Sequence, residues 1–234
     1  MKIGILQCDD VQEQLQPAFG NYPQMFRDLM LKVDPDLEFA VYDARRAELP
    51  ADIDECDAYI TSGSRHGVLD GLAWVAELED FIRRLDAGKK KFAGICFGHQ
   101  LLARALGGAV EQSDRGWGVG VSFNQVDARK PWMEPFKPAI DLVVSHQDQV
   151  SRLPDGVEVL ASSAFCPYYM LQYQNHLISV QGHPEFSRDY SRELTLSRQN
   201  CIAPSRVREA LHSLNAEVDD VLVMRWIINF FYDR

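Results

Sequence analysis

A single cysteine lies between two glycines in the stretch GICFGHQ, residues 94–100. A short apolar run precedes it and the helix-like run LLARALGG follows, so Cys96 is expected at a sharp strand-to-helix turn. The first N–H groups of such a helix and the positive end of its dipole favour a thiolate. The pattern has the G-x-nucleophile-x-G form of an elbow. It predicts that Cys96 is a nucleophile, and a buried thiol at the end of a strand is the alternative.

A thiol nucleophile needs a base, and the base needs a group that orients it. Among the six histidines of the chain, His183 stands out because it follows the apolar run LISVQG and precedes Pro184 and Glu185. Residues two apart on an extended backbone point to the same side, so Glu185 could fix the tautomer of the imidazole. We therefore predict His183 as general base and acid and Glu185 as its orienting partner.

The elements that must position these residues follow from the hydrophobic pattern of the first half. Strand-like and helix-like runs alternate there: KIGILQ, YPQMFRDLMLKV, LEFAVYDA, DAYITSGS, LAWVAELEDFIRRLDAG, KKFAGI and HQLLARALGG. This alternation favours βαβ units and a mostly parallel sheet covered by helices on both faces. Ligand sites in such sheets lie at the carboxyl ends of the strands. The loops TSGSRHG and GICFGHQ are expected at that edge.

The second half changes to strand-like runs with short gaps: GWGVGVSFNQV, DLVVSHQDQ, VEVLASS, YYMLQY and HLISVQGH. A hairpin turn is predicted at YQNH, and helices are expected from about Arg188 onward. No Pro/Gly/Ser-rich linker or internal repeat interrupts the chain. We therefore predict one three-layer α/β domain over residues 1–234, with additional antiparallel strands in its second half.

The composition excludes several classes of function. Hydrophobic residues make up 46% and charged residues 25% of the chain, as in ordinary globular proteins. A formal net charge of −10 argues against a surface that binds nucleic acid. No apolar run approaches the about 20 residues that span a bilayer, and no signal-peptide pattern opens the chain, so we expect no membrane partner and a cytoplasmic location. Five scattered cysteines without a C-x-x-C pair predict neither a disulfide framework nor a structural zinc site.

Four motifs occur in an order that resembles the class I glutamine amidotransferase family: ITSGS, GICFGHQ, SHQD and GHPE. The elbow of that family reads G-x-C-x-G-x-Q, and its base and acid come from an H-P-E segment. The resemblance covers nearly the whole chain and implies a flavodoxin-like fold that needs neither a metal nor a cofactor. It also implies the same roles for Cys96, His183 and Glu185 as the residue pattern does.

The resemblance implies further roles. Gln100 matches the position that contacts glutamine, and Gly63 and Phe97 match those whose backbone N–H groups form the oxyanion hole. Ser145 and His146 fall where family members hold the α-amino and α-carboxylate end of glutamine. The loop SGSRHG departs from the usual G-G-P of the family, which puts the position of Gly63 in question. We expect the acceptor side of the pocket to be lined by Arg65, His66, Trp117 and the segment Phe186, Ser187 and Arg188.

The implied reaction is hydrolysis of a small γ-glutamyl substrate, glutamine, to glutamate and ammonia through a γ-glutamyl thioester. The segments SGSRHGV and SHQDQV resemble a free-standing branch that includes γ-glutamyl peptidases acting on glutathione-type conjugates, and the glutaminase domain of GMP synthetase is related. Because the chain has no synthetase loop, ammonia would be released or would pass to a separate synthetase subunit. The remaining alternatives are a catalytically silent binding or regulatory module and a stress-response protein with a cysteine elbow.

Overall fold

The computed structural model describes residues 1–233. Its strands are β1 (Lys2–Gln7), β2 (Glu38–Asp43), β3 (Ala58–Thr61), β4 (Lys91–Ile95), β5 (Ala109–Gln112), β6 (Gly118–Val126), β7 (Ala139–His146), β8 (Asp148–Arg152), β9 (Val157–Ser162), β10 (Met170–Tyr173) and β11 (Leu177–Val180). Its α-helices are α1 (Gln16–Phe19), α2 (Tyr22–Val33), α3 (Ala73–Ala87), α4 (Phe97–Ala105), α5 (Arg188–Ser197), α6 (Pro204–Ser213) and α7 (Asp220–Phe231).

A nine-stranded sheet forms the centre of the fold, in the order β2-β1-β3-β4-β11-β10-β9-β6-β7. The strands from β2 to β11 in that order run parallel to one another. The remaining strands, β10, β9, β6 and β7, continue the sheet in antiparallel pairs. The predicted α/β class, with a parallel first half and added antiparallel strands, is confirmed.

Helices cover both faces of this sheet because each presents one apolar stripe to it. On α3, Val75, Leu78, Ile82 and Leu85 are all buried, as their spacing predicts. Helices α3 and α4 share a hydrophobic cluster on one face of the sheet. Helices α2 and α7 pack against the other face, where Trp226 is fully buried. The sheet is therefore the middle layer of three.

The order of the strands brings the predicted site loops to one edge of the sheet. Strand β4 lies between β3 and β11, and all three are parallel. Val180 at the end of β11 is in register with Ile95 at the end of β4. The residues that follow the three strands, including Gly63, Cys96 and His183, therefore leave the sheet side by side.

Two details of the second half differ from the sequence prediction. The run DLVVSHQDQ is not one strand: β7 ends at His146, and β8 begins at Asp148 and pairs with β5 in a separate two-stranded sheet. Strand β5 was not predicted at all. The hairpin at YQNH is confirmed, with Tyr173 opposite Leu177. Among the helices of residues 1–233, none combines the length and the apolar character needed to cross a bilayer.

Candidate active site

Cys96 occupies a sharp turn between β4 and α4. Its backbone angles are φ 50° and ψ −94°, a strained region that non-glycine residues rarely adopt. A Cβ on Gly94 would lie 2.5 Å from the Gly98 carbonyl oxygen, and one on Gly98 would lie 1.7 Å from Thr61 Oγ1. Both glycines are therefore required by close packing at the turn. The sulfur of Cys96 is largely buried, yet the residue lines an open cleft.

His183 and Glu185 form a buried pair beside this turn. The imidazole Nδ1 lies 2.7 Å from Glu185 Oε1, and the two side chains are 3% and 0% exposed. The Phe186 ring stacks on the imidazole with 3.8 Å between ring centroids. The His183 backbone N–H donates to Val143 O on β7 over 2.8 Å. The imidazole is thus held from several sides, with Nε2 left to serve the sulfur of Cys96.

The charge state of this pair follows from its surroundings. Burial by itself would lower the pKa of His183. The negative charge of Cys96 and the carboxylate of Glu185 outweigh it and raise that pKa to about 10. At neutral pH the imidazole is therefore protonated beside a thiolate, an ion pair in which sulfur is the stronger nucleophile.

Gln181 also contacts the nucleophile and was missed in the sequence. Its Nε2 donates to Cys96 Sγ over 3.5 Å, and its Oε1 accepts from Gln100 Nε2 over 3.1 Å. Gln100 Nε2 donates in addition to Asp148 O over 2.8 Å. The signal that could have identified Gln181 is its place two residues before His183, because alternate residues of an extended chain face the same side.

The backbone of Gly63 packs directly on the imidazole. A Cβ at this position would lie 2.6 Å from His183 Cε1, so only glycine fits there. Phe97 is the first residue of α4, where backbone N–H groups have no partner within the helix. Within residues 1–233, neither the Gly63 nor the Phe97 N–H donates a hydrogen bond. The two donors are available to an oxyanion beside Cys96.

The loop that carries Gly63 is held from the end of β1. Ser62 Oγ accepts from the Cys8 N–H over 2.8 Å and donates to Gly63 O over 2.9 Å. The buried carboxylate of Asp9 accepts from the Arg65 backbone N–H over 2.7 Å and from Arg65 Nε over 2.9 Å. This anchor replaces the G-G-P sequence found in the resembled family, and Asp9 was not predicted as a site residue.

Ser145 and His146 lie at the end of β7 on the opposite wall of the cleft. The His146 Nδ1 lies 3.1 Å from Asp148 O. Burial lowers the pKa of His146 to about 4, and the nearby charge of His183 acts in the same direction, so the imidazole is neutral at physiological pH. Ser145 Oγ accepts from Arg198 Nη1 over 2.8 Å. Arg198 was missed because it lies far away in the sequence.

The cleft has a volume of about 360 Å³, within the usual range for small-molecule sites. The side chains that line it include those of Arg65, His66, Asp70, Cys96, Phe97, Gln100, Trp117, Ser145, His146, Asp148, Arg198 and Cys201. Arg65, His66 and Trp117 therefore lie where they were expected. Within residues 1–233, no group of three or more His, Cys, Asp or Glu side chains is arranged to hold a metal ion.

The prediction that residues 186–188 line the same cleft is wrong. Phe186 is buried against His183. Ser187 and Arg188 border a different surface cleft. The physical reason is the cap of α5: Ser187 Oγ accepts from the Tyr190 N–H over 3.0 Å, which turns the chain into the helix and away from Cys96.

His99, which lies within the elbow motif, has a structural role. Its imidazole is fully buried and its Nδ1 lies 2.8 Å from Ser179 Oγ. Burial lowers the pKa of His99 to about 3, so the ring stays neutral. It packs behind α4, and His183 is the histidine that faces the sulfur.

Comparison with known proteins agrees with this arrangement. Residues 33–199 match the family described as "Glutamine amidotransferase class-I". The chain belongs to this family. A solved glutamine amidotransferase from Methylobacillus flagellatus has the same fold, with a TM-score of 0.75 at 22% identity, and the comparison covers 99% of this chain and 92% of that one.

Among the relatives of this class I glutamine amidotransferase are two Arabidopsis thaliana proteins, γ-glutamyl peptidases 5 and 4. The first is 37% identical over 59% of this chain and 57% of its own length. The second is 31% identical over 76% of this chain and 72% of its own length. The glutamine-hydrolysing GMP synthase of Sulfolobus acidocaldarius contains a chain that is 33% identical over 57% of this protein and 70% of its own length. The family and these relatives are amidotransferase and hydrolase enzymes.

Proposed function

We propose that this chain hydrolyses γ-glutamyl amide bonds, with Cys96 as nucleophile, His183 as general acid and base, and Glu185 as the group that orients His183. The observation that carries the proposal is the buried His183–Glu185 pair next to a cysteine on a strained elbow. The position of Cys96 in the wall of a cleft of ligand size supports it.

The first half of the reaction forms a thioester. The Cys96 thiolate attacks the γ-carbonyl carbon, and the carbonyl oxygen becomes an oxyanion between the N–H groups of Gly63 and Phe97. Loss of one such donor typically costs about 3–4 kcal/mol of transition-state stabilisation. The C–N bond then breaks, and the proton of the His183 imidazolium passes to the departing amine. Glu185 keeps the imidazole in the orientation that this transfer needs.

The second half releases glutamate. The now neutral His183 takes a proton from water as the water oxygen attacks the thioester carbon. Collapse of this intermediate breaks the C–S bond, which frees the γ-carboxyl group of glutamate and returns the thiolate–imidazolium pair. The sum of both halves is the amide plus water giving glutamate plus an amine, without any other reactant.

Two substrates fit this chemistry. Glutamine would release ammonia, and the likeness to a chain of a GMP synthase supports transfer to a separate synthetase partner. A γ-glutamyl peptide would release an amino acid or peptide, and two observations favour it as a second candidate. The cleft beside Cys96 is open and carries charged residues of both signs. The similarity to γ-glutamyl peptidases extends over most of the chain.

Substitution of the nucleophile tests the proposal. We expect Cys96→Ala to abolish turnover of both glutamine and γ-glutamyl dipeptides without changing the unfolding temperature by more than a few degrees. Ammonia release and dipeptide cleavage are measured by coupled assay and chromatography, and hydroxylamine should trap the thioester as γ-glutamyl hydroxamate. Cys201→Ala is the matched control, since Cys201 lines the same cleft but is exposed.

The outcome separates the alternatives. Hydrolysis that survives in Cys96→Ala, or hydroxamate formation that depends on Cys201, would contradict the mechanism. Binding of γ-glutamyl compounds without turnover by the unaltered chain would favour the binding module. A ratio of kcat/KM that favours dipeptides over glutamine would identify a peptidase.

A further inference from the structure

Arg198 is the feature of the cleft that the proposed mechanism does not use. The guanidinium of Arg65, also in the cleft, is neutralised by Asp9 at 2.9 Å. Within residues 1–233, no Asp or Glu oxygen lies within the 4.0 Å that defines an ion pair with Arg198. In a chain with a net charge of −10, an unpaired arginine beside the nucleophile indicates that its counter-charge comes from outside.

The side chain of Arg198 is held in place without being saturated. Its Nη1 donates to Ser145 Oγ over 2.8 Å, and its guanidinium carbon lies 5.7 Å from the centre of the Trp117 ring. A guanidinium carries five N–H donors in a rigid fork that matches a carboxylate. The contact with Ser145 therefore fixes the orientation of the fork while the other N–H groups stay available to a ligand.

The chain path explains why this arginine reaches the cleft. Helix α5 begins just after Glu185, under the cap of Ser187, and Arg198 is the residue at its carboxyl end. The segment that supplies the base therefore runs away from the cleft and returns to it at Arg198. On the wall that Arg198 contacts, His146 is neutral, so Arg198 supplies the positive charge there.

We propose that Arg198, oriented by Ser145, binds a carboxylate group of the substrate. This inference rests on the proposed γ-glutamyl function and adds the group that the cleft selects for. A γ-glutamyl compound offers such a carboxylate from two sources, the α-carboxylate of the γ-glutamyl group or the terminal carboxylate of the departing peptide. Both present the same planar anion, which a guanidinium binds through charge-assisted hydrogen bonds.

Pairs of substrates that differ only in one carboxylate test the proposal and distinguish the two sources. L-Glutamine is compared with 4-aminobutanamide, which lacks the α-carboxylate, and γ-glutamylalanine with γ-glutamylalaninamide, which lacks the terminal one. Each is measured with the unaltered chain, Arg198→Met and Arg198→Lys. Arg192→Met is the matched control, because Arg192 lies on the same helix but borders a different cleft.

We expect Arg198→Met to lower kcat/KM by about 10- to 100-fold for the compound that carries the recognised carboxylate, mainly through KM. Its counterpart without that carboxylate should change by less than about threefold. Arg198→Lys should fall in between, since an ammonium keeps the charge but loses the fork. Arg192→Met should behave like the unaltered chain. Whichever substrate pair loses its discrimination identifies the source.

An equal loss for all four compounds, or no loss for any, would overturn the proposal. If Arg198→Met does not fold, Arg198→Lys decides by the same comparison. Titration calorimetry of the four compounds against the Cys96→Ala chain, with and without Arg198→Met, gives a readout that does not need turnover. If the unaltered chain hydrolyses none of them, the proposed function fails, and the calorimetric difference alone supports or refutes the role of Arg198.

Discussion

Gly63→Ala is the substitution that most directly probes how closely the loop after β3 packs on the imidazole. The added methyl group would lie 2.6 Å from His183 Cε1, whereas ordinary contacts begin at 3.4 Å. Either the ring or the loop must move by about 0.8 Å, the difference between these two distances. Movement of either one misaligns the base or an oxyanion donor.

The size of the effect follows from that displacement. A misplacement of about 1 Å at a catalytic centre costs about 100-fold in rate. That factor corresponds to about 2.7 kcal/mol of activation free energy. Overpacking of a buried contact costs about 1–3 kcal/mol of stability as well, so the variant is expected to fold with a lowered unfolding temperature.

Two measurements separate the catalytic loss from the loss of stability. Steady-state kinetics with a γ-glutamyl substrate, well below the unfolding temperature, should show kcat reduced about 100-fold. Alkylation of Cys96 by iodoacetamide, followed against pH, should show a smaller thiolate fraction, because the imidazolium that stabilises it has moved. Gly67→Ala is the control in the same loop, since its methyl group meets only the movable ends of Asp148 and Asp70, at 3.1 and 3.2 Å.

A folded Gly63→Ala protein with kcat within about threefold of the unaltered chain would refute this reasoning. It would mean that the loop and the ring can separate without consequence, so that Gly63 does not position the reacting groups. A loss of kcat in Gly67→Ala as large as that in Gly63→Ala would refute it equally, because the effect would then not depend on the contact with His183.

Two further predictions concern the loop anchor and the dependence of stability on pH. Asp9→Asn should lower kcat by about tenfold, since charge-assisted hydrogen bonds contribute about 1.5–3 kcal/mol, and Arg65→Met should add little to it in the double variant; additive kinetic losses would contradict a shared anchor. The pKa of His183 is raised from 6.5 to about 10, so its contribution to stability is complete below pH 6.5 and is lost as the pH rises through 10. Burial lowers the pKa of His99 to about 3 and of His146 to about 4, so stability should also fall as the pH drops below 6.5. Urea unfolding at a series of pH values measures both slopes, and Cys96→Ala, which removes the charge opposite His183, should flatten the alkaline one; an unchanged alkaline slope in that variant would contradict the assignment.

Local sequence patterns determined much of this protein, because they describe interactions between near neighbours in the chain. The apolar run before Cys96, the glycines beside it and the helix after it predicted the elbow. Two-residue spacing predicted that Glu185 would lie with His183, and the same rule would have placed Gln181 there. Helix stripes such as that of α3 are local in the same sense, since the period of a helix is set by its own backbone.

Tertiary structure alone decided the parts that depend on distant contacts. Asp9 holds Arg65 and Arg198 reaches Ser145 across many intervening residues, and no local periodicity encodes those pairs. The run DLVVSHQDQ reads as one strand, but β8 leaves the main sheet because its partner is β5. Phe186 became support for the imidazole because the cap at Ser187 turns the chain away from the cleft. Side-chain chemistry near the nucleophile is thus written in the sequence, while the groups that anchor its loop and select its substrate are assembled by strand order and helix packing.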